Sequence, residues 1–224
     1  MIDIKNLCYK FYVRIFPRKY IEYINLRRRR NIYTQAKIIF IHVPKAAGTS
    51  VCHSLYGKTL GHFKAKNIQK ALPNEFREFF TFSLVRHPYD RVLSAYQFAK
   101  QGKTDVMGIS NPKKYQINDF ISFETFVTQW LVEVDLTEAD YVFQPQYLFT
   151  HGDNDQLLVN KIWKVEQMDR FYEEFEKYAH KKIEKKHINQ SKSNASEKNQ
   201  LSTELKKIIY QCYQKDFELF NYQK

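Results

Sequence analysis

A short apolar run followed by a glycine-containing loop constrains the fold of this chain more than any other feature. Four of residues 38–42 are aliphatic or aromatic, which is too short a run for a helix but typical of a strand buried on both faces in a parallel sheet. Pro44 fixes the backbone and Gly48 permits a sharp turn, while Thr49 or Ser50 can cap a following helix. The sequence therefore predicts a strand, a tight loop and a helix N-terminus in direct succession.

Such a loop favours an anion. The first N–H groups of the helix and the positive end of its dipole point to one place, and Lys45 adds a full charge there. The alternative is an ordinary strand-to-helix turn with a solvated lysine. The loop is not a Walker A sequence, because Lys45 precedes Gly48 by three residues instead of following the last glycine. The pattern predicts a phosphate site and disfavours an ATP or GTP hydrolase.

The composition limits the chain to one domain and indicates an anionic partner. At 224 residues it suits a single α/β domain with a substantial core. Lys and Arg outnumber Asp and Glu by 36 to 24, which favours a nucleotide, an acidic glycan, a nucleic acid or a membrane surface as partner. Cys8, Cys52 and Cys212 lack the spacing of a disulfide framework or a zinc site, so we expect reduced thiols and no metal.

The N-terminal region carries charge where a membrane anchor would be apolar. No apolar run reaches the roughly 18 to 20 residues that span a bilayer, so we expect a cytoplasmic protein, soluble or peripheral at the inner face of the membrane. Residues 1–36 are predicted to form a basic extension, and residues 37–224 a single domain. Residues 27–30, all arginine, are either a solvated linker or a contact with an anionic membrane. No nucleic-acid partner is expected, because the aromatic residues do not alternate with the basic ones.

A second apolar run, residues 79–85, predicts another buried strand, and it ends at Arg86. Pro88 suits the first turn of the next helix, on which Ser94 lies. Residues 101–119 are predicted to form a loop that faces the substrate. Three further elements are predicted before residue 166: a helix over residues 66–72 that Pro73 ends, a helix capped by Ser122, and a strand within residues 157–165 that ends at Glu166. Beyond it we predict a helix over residues 170–181 with Phe171, Phe175 and Tyr178 inward, a polar linker over residues 184–200, and one last helix from Ser202.

Strands that alternate with helices place the two loops at the carboxyl edge of a parallel sheet, where ligands bind. Residues 40–50 resemble the 5′-phosphosulfate-binding loop of sulfotransferases, and residues 85–96 resemble their 3′-phosphate-binding strand and helix. Residues 187–191 are similar to a late Asn-x-Ser segment, and residues 213–220 to a closing Tyr-x-x-Asp-Phe helix. Together, from about residue 37 onward, they resemble the carbohydrate-directed, Golgi-type and bacterial branch of the family, which includes the uronosyl 2-O-sulfotransferases.

This resemblance implies a three-layer, P-loop-like α/β fold with a central, mainly parallel sheet flanked by helices. It also implies the sulfuryl donor 3′-phosphoadenosine 5′-phosphosulfate (PAPS) and no metal. A donor with anionic groups at both ends of its ribose needs two cationic, N–H-rich pockets. The residues implied in donor binding are Lys45, Ala46, Ala47, Gly48, Thr49 and Ser50 at the phosphosulfate, Arg86 and Ser94 at the 3′-phosphate, and Asn189 and Ser191. The alternatives are a salt bridge from Arg86 to Asp90 and a Ser94 hydroxyl bonded within its own helix.

Sulfuryl transfer requires a base for the acceptor hydroxyl and a positive group where charge develops on the leaving phosphate. Lys45 fits the second role. His42 is expected to be packed inside the first strand. The resemblance implies His62 as the base, because the uronosyl 2-O-sulfotransferases place their histidine in a similar Gly-His context. Glu166 is the second candidate for the base.

The sequence thus predicts a PAPS-dependent O-sulfotransferase that modifies a carbohydrate or polysaccharide. The expected absence of an anchor favours a bacterial-type cytoplasmic enzyme. The basic surplus favours an acidic acceptor over a neutral one. Two alternatives stay open, a nucleotide-dependent kinase with a similar loop and a non-catalytic basic binding module that uses residues 27–30.

Overall fold

Three parallel strands form the sheet on which the helices of the described residues pack. The computed structural model describes residues 17–103, 108–109, 111–180, 182–183 and 201–224. In this part of the chain β1 is Ile38–Ile41, β2 is Phe80–Val85 and β3 is Lys161–Lys164. The strands lie in the order β1-β2-β3, with Ile38 opposite Phe80 and Phe82 opposite Lys161. The strands predicted after residues 37 and 78, and the one within residues 157–165, are confirmed.

Helices connect and cover these strands. They are α1 Arg18–Ala36, α2 Gly48–Tyr56, α3 Ala65–Ala71, α4 Pro73–Glu78, α5 Pro88–Gln101, α6 Phe123–Thr125, α7 Leu131–Glu133, α8 Tyr147–Thr150, α9 Met168–Ala179, α10 Thr203–Cys212 and α11 Gln214–Leu219. A π-helical turn, Phe126–Trp130, joins α6 to α7. The described residues also contain four 3₁₀ helices, at Pro112–Tyr115, Asn118–Phe120, Asp153–Asp155 and Val165–Gln167. None of the helices in the described residues combines the length and apolarity needed to cross a membrane.

Both faces of the sheet are buried, because alternate residues of each strand point in opposite directions. On one face, Ile39 and Ile41 pack in a cluster with residues of α1 and α3. On the other face, Ile38, Phe40 and Phe82 pack in a cluster with residues of α2 and α9. The predicted α/β class, with a parallel sheet flanked by helices, is confirmed. The P-loop-like assignment stays a prediction.

A third apolar cluster joins the C-terminal helices to α5. It includes Val92, the π-helical Phe126, Phe143, Ile209 of α10 and Phe217 of α11. Tyr115 belongs to this cluster and is only 2% exposed. The region predicted as one loop over residues 101–119 therefore contains packed 3₁₀ helices in its described part, while residues 104–107 and 110 lie outside the described residues.

α1 packs on the sheet instead of projecting from it. Leu26 is fully buried and Tyr33 is 1% exposed, and both share a cluster with Ile39 and Ile41. These contacts attach α1 to the core of the sheet, and the domain boundary predicted after residue 36 stays a prediction. The earlier part of the predicted extension, residues 1–16, lies outside the described residues.

Several element boundaries differ from those predicted. Pro73 ends α3 but also begins α4, because proline suits the first turn of a helix. The last helix is two helices, which meet at Tyr213. Tyr178 does not point inward as Phe171 and Phe175 do, for it is 47% exposed and covers the side chain of Lys161. The predicted Ser122 cap is confirmed, since its Oγ accepts the N–H of Thr125. The cap predicted from Thr49 or Ser50 is wrong, because α2 begins earlier, the residue at its N-cap is Ala47, and no side chain caps it. α10 begins after Ser202 as predicted, and Ser202 Oγ accepts the N–H of Leu205.

Candidate active site

The loop between β1 and α2 contains two left-handed residues that are not glycine. Lys45 has φ 64° and Ala47 has φ 55°. Each costs on the order of 1 kcal/mol relative to a right-handed residue, and such strain is common where a backbone is shaped to bind a ligand. The N–H of Ala46 donates to Val43 O at 3.4 Å, so this amide is used inside the loop. α2 starts directly after Ala47, and the first N–H groups of a helix have no partner within it.

Gly48 is required by a close contact. A Cβ built on it would lie 2.0 Å from His42 Cδ2. The His42 ring is 4% exposed and stacks on Phe40, with ring centroids 5.7 Å apart. The expectation that His42 is packed is therefore confirmed. Its bulk explains why only glycine fits at the start of α2.

Lys45 carries its charge in a partly desolvated place. Its Nζ lies 4.7 Å from the ring centre of Phe98, and burial, with a smaller effect of the Arg86 charge, lowers the Lys45 pKa to about 8. Two cations that repel each other through a poorly solvated medium favour an anion between them. The charge of Arg86 thus acts on Lys45 in the predicted phosphate loop.

Arg86 follows β2 at the same edge of the sheet. Its backbone N–H donates to Gln146 Oε1 at 2.9 Å, and its carbonyl accepts from Gln146 Nε2 at 2.8 Å. Ser94 lies on α5 and is 5% exposed. Asn189 and Ser191, the other predicted donor-binding residues, lie outside the described residues.

Arg91 is a buried arginine whose role the sequence did not reveal. It is 1% exposed, and its guanidinium donates to the carbonyls of Pro44, Val142 and Gln144 at 3.1, 3.2 and 2.6 Å. It therefore ties the loop after β1 to the segment that carries Gln146. The sequence did contain one signal for this role, an arginine next to the apolar residues Val92 and Leu93. A charge that is buried on the apolar side of a helix needs buried acceptors.

His62 is held with one ring nitrogen fixed. Its Nδ1 lies 2.9 Å from the carbonyl oxygen of His42, and the two rings are 4.2 Å apart. A carbonyl only accepts, so Nδ1 carries the proton and Nε2 keeps its lone pair. Burial lowers the His62 pKa below 6.5, and the Arg91 and Lys45 charges add to this effect, while the bond to the carbonyl opposes it. His62 is therefore neutral at pH 7, with Nε2 able to take a proton.

Glu166 has both carboxylate oxygens engaged. Oε1 accepts the N–H of His87 at 2.6 Å, and Oε2 accepts the hydroxyl of Tyr222 at 3.0 Å. These bonds connect the C-terminal end of the chain to the turn after Arg86. The choice between His62 and Glu166 as the base stays a prediction. Within the part of the chain that the structure describes, no group of three or more His, Cys, Asp or Glu side chains is placed to hold a metal ion.

Comparison with known proteins identifies the family of the chain. The sequence model of the family described as "Sulfotransferase family" matches residues 28–223, which is most of the chain. The match begins inside α1, so part of the predicted extension falls within it. No curated protein and no solved structure matches the chain significantly.

Proposed function

The chain belongs to the sulfotransferase family, and from that premise we propose that it moves a sulfuryl group from PAPS to a hydroxyl of a carbohydrate. The observation that carries the proposal is the pair of cationic loops at neighbouring strand ends, with Lys45 in one and Arg86 in the other. A donor with anionic groups at both ends of its ribose fits two such loops. PAPS supplies the sulfuryl group, and the chain supplies positions, charges and a base.

In this proposal Lys45 and the first amides of α2 hold the phosphosulfate, and Arg86 with Ser94 holds the 3′-phosphate. Transfer breaks the bond from sulfur to the bridging phosphate oxygen and forms a bond from sulfur to the acceptor oxygen, in line. Lys45 stabilises the charge that develops on the leaving phosphate. His62 Nε2 takes the proton of the acceptor hydroxyl, and the bond from Nδ1 to His42 O stabilises the imidazolium that results.

The residues that follow His62 favour an acidic acceptor. The Arg29 guanidinium lies 5.2 Å from the ring centre of Phe63, and Lys64 Nζ lies 5.8 Å from that of Phe149. Arg29, which lies against the residue after His62, and Lys64 would attract carboxylate or sulfate groups of a saccharide. We therefore propose an acidic polysaccharide or one of its precursors as acceptor.

The arginine run has contacts inside the chain that compete with an external partner. Arg27 donates to the carbonyl of Ala71 at 3.2 Å, and Arg30 pairs with Glu75. These contacts support a role in docking α1. Peripheral contact with an anionic membrane stays a prediction.

Calorimetric titration tests the proposal. Adenosine 3′,5′-bisphosphate, the product of the donor, is expected to bind without a metal, and ATP with Mg²⁺ is expected to bind much more weakly. Transfer is then measured with ³⁵S-labelled donor on acidic saccharides, with neutral saccharides as the comparison. Tight binding of ATP and none of the bisphosphate would instead support the nucleotide-dependent kinase.

A further inference from the structure

One buried glutamine makes two hydrogen bonds to the backbone of Arg86. Gln146 is fully buried, and its amide group bonds both the N–H and the carbonyl of Arg86. A side-chain amide has an acceptor and a donor like those of a peptide group, so Gln146 takes the place of a neighbouring strand just where β2 has ended. The backbone of Arg86 is fixed on both sides of its Cα.

Gln146 is itself fixed from the C-terminal helix. Its N–H donates to Asp216 Oδ2 at 2.8 Å, and the N–H of Tyr147 donates to Asp216 Oδ1 at 2.9 Å. Asp216 lies on α11 and is fully buried. Burial raises the Asp216 pKa, while the Arg91 charge and the bonds from the two amides oppose that shift. Hydrogen bonds to a carboxylate are stronger than neutral ones, so α11 locks the backbone that carries Gln146.

We propose that Gln146 is a positioning residue that determines where the Arg86 guanidinium lies. Asp216 in turn holds Gln146 in position by accepting the backbone N–H groups of Gln146 and Tyr147. The inference rests on the proposed function, because it takes Arg86 as the contact of the donor's 3′-phosphate. An arginine at the end of a strand has no regular neighbour to fix its backbone, and a small misplacement of a binding group is costly. A side chain that only filled space there would need neither of its two hydrogen bonds.

The test uses two ligands that differ only in the 3′-phosphate, adenosine 3′,5′-bisphosphate and adenosine 5′-monophosphate. Gln146→Met keeps the length of the side chain and removes both hydrogen bonds. The dissociation constant of the bisphosphate is expected to rise roughly tenfold, which corresponds to the net value of one or two hydrogen bonds, while that of the monophosphate changes less than about twofold. Equal weakening of both ligands, or of neither, would overturn the inference.

A double-mutant cycle excludes a purely structural effect. If Gln146 acts through Arg86, then Gln146→Met is expected to add almost nothing in an Arg86→Ala background. The matched control is Gln144→Met, because Gln144 is also buried but donates to Ala139 O instead of to Arg86. The control is expected to leave the affinities for both ligands unchanged. Additive effects in the cycle, or loss of 3′-phosphate recognition in the control, would contradict the proposed role.

Two further variants keep the test decisive if Gln146→Met does not fold. Gln146→Glu keeps an acceptor for the Arg86 N–H. Asp216→Asn weakens the bonds that hold the backbone of Gln146, while the Gln146 side chain itself is unchanged. Both are expected to weaken bisphosphate binding more than monophosphate binding, and unchanged ligand discrimination in both would overturn the inference. If Arg86→Ala leaves discrimination unchanged, the donor site itself is wrong. That result is distinct from one in which Arg86→Ala has an effect and Gln146 variants have none.

Discussion

At the scale of single residues, the sequence predicted those site residues whose partners lie close to them in the sequence. Lys45 and Gly48 were found because they lie within four residues of each other, where the spacing alone limits the geometry. Arg91 and Asp216 were not assigned roles, because their partners lie far away in sequence. Arg91 bonds Pro44, 47 positions back, and Asp216 bonds Gln146, 70 positions back. No pattern of spacing contains such pairs.

His62 gives the first prediction. His62→Ala is expected to bind adenosine 3′,5′-bisphosphate normally and to lose roughly 10²-fold or more in kcat, the usual contribution of a positioned base. The base must be neutral to act, and burial lowers the His62 pKa, so the wild-type rate should rise with pH through a pKa below 6.5. Single-turnover rates over a pH series measure this limb. A variant with near-normal transfer would move the base elsewhere, with Glu166 tested next.

Lys45 gives a second pH dependence, with the opposite sign. Because the Lys45 pKa is lowered to about 8, the ammonium loses its proton as the pH rises through that value. Bisphosphate affinity is then expected to weaken on the order of tenfold between pH 7.5 and 9.5. Lys45→Arg is the control, since arginine keeps its charge throughout this range. A wild-type affinity that does not change with pH would show that the Lys45 charge is not used in binding.

At the scale of elements, strands were easier to predict than the ends of helices. Continuous apolar runs predicted the three strands and Ser122 predicted one cap, since these signals act over a few residues. The cap predicted from Thr49 or Ser50 was wrong, because the loop before α2 places Ala47 at the N-cap. The π-helical turn Phe126–Trp130 and the break at Tyr213 depend on packing in the third apolar cluster, so nothing local announced them. The packing of α1 in the core was missed for the same reason, since its run of four arginines suggested an exposed segment.

α1 is therefore expected to be needed for stability. Leu26→Ala removes a fully buried side chain and should lower the free energy of unfolding by about 2–5 kcal/mol. Tyr20→Ala is the matched control on the same helix, because Tyr20 is 63% exposed and surface changes usually stay within about 0.5 kcal/mol. Urea unfolding monitored by tryptophan fluorescence measures both. Similar small changes in the two variants would instead support residues 1–36 as a separate extension.

At the scale of the whole molecule, the parallel sheet brings the two loops together. Ile41 lies opposite Ser83, so the ends of β1 and β2 meet at one edge and Lys45 comes near Arg86. The general rule for parallel sheets was enough to predict this meeting. The order of the three strands and the packing of α1 on the sheet could be learned only from the structure. A chain with a net charge of +12 that gathers cations at one edge is expected to be stabilised by an anion there.

This stabilisation can be measured. At 100 times its dissociation constant, a ligand that binds only the folded chain stabilises it by about 2.7 kcal/mol. For a chain of this size, that corresponds to a rise in Tm of roughly 5–10 °C. Adenosine 3′,5′-bisphosphate is expected to produce this rise in a thermal shift experiment at low salt, and less at high salt, because salt screens the partly exposed charges. Lys45→Ala and Arg86→Ala should each reduce it, whereas Tyr20→Ala should leave it intact. A rise that survives both charge substitutions would place the anion away from this edge of the sheet.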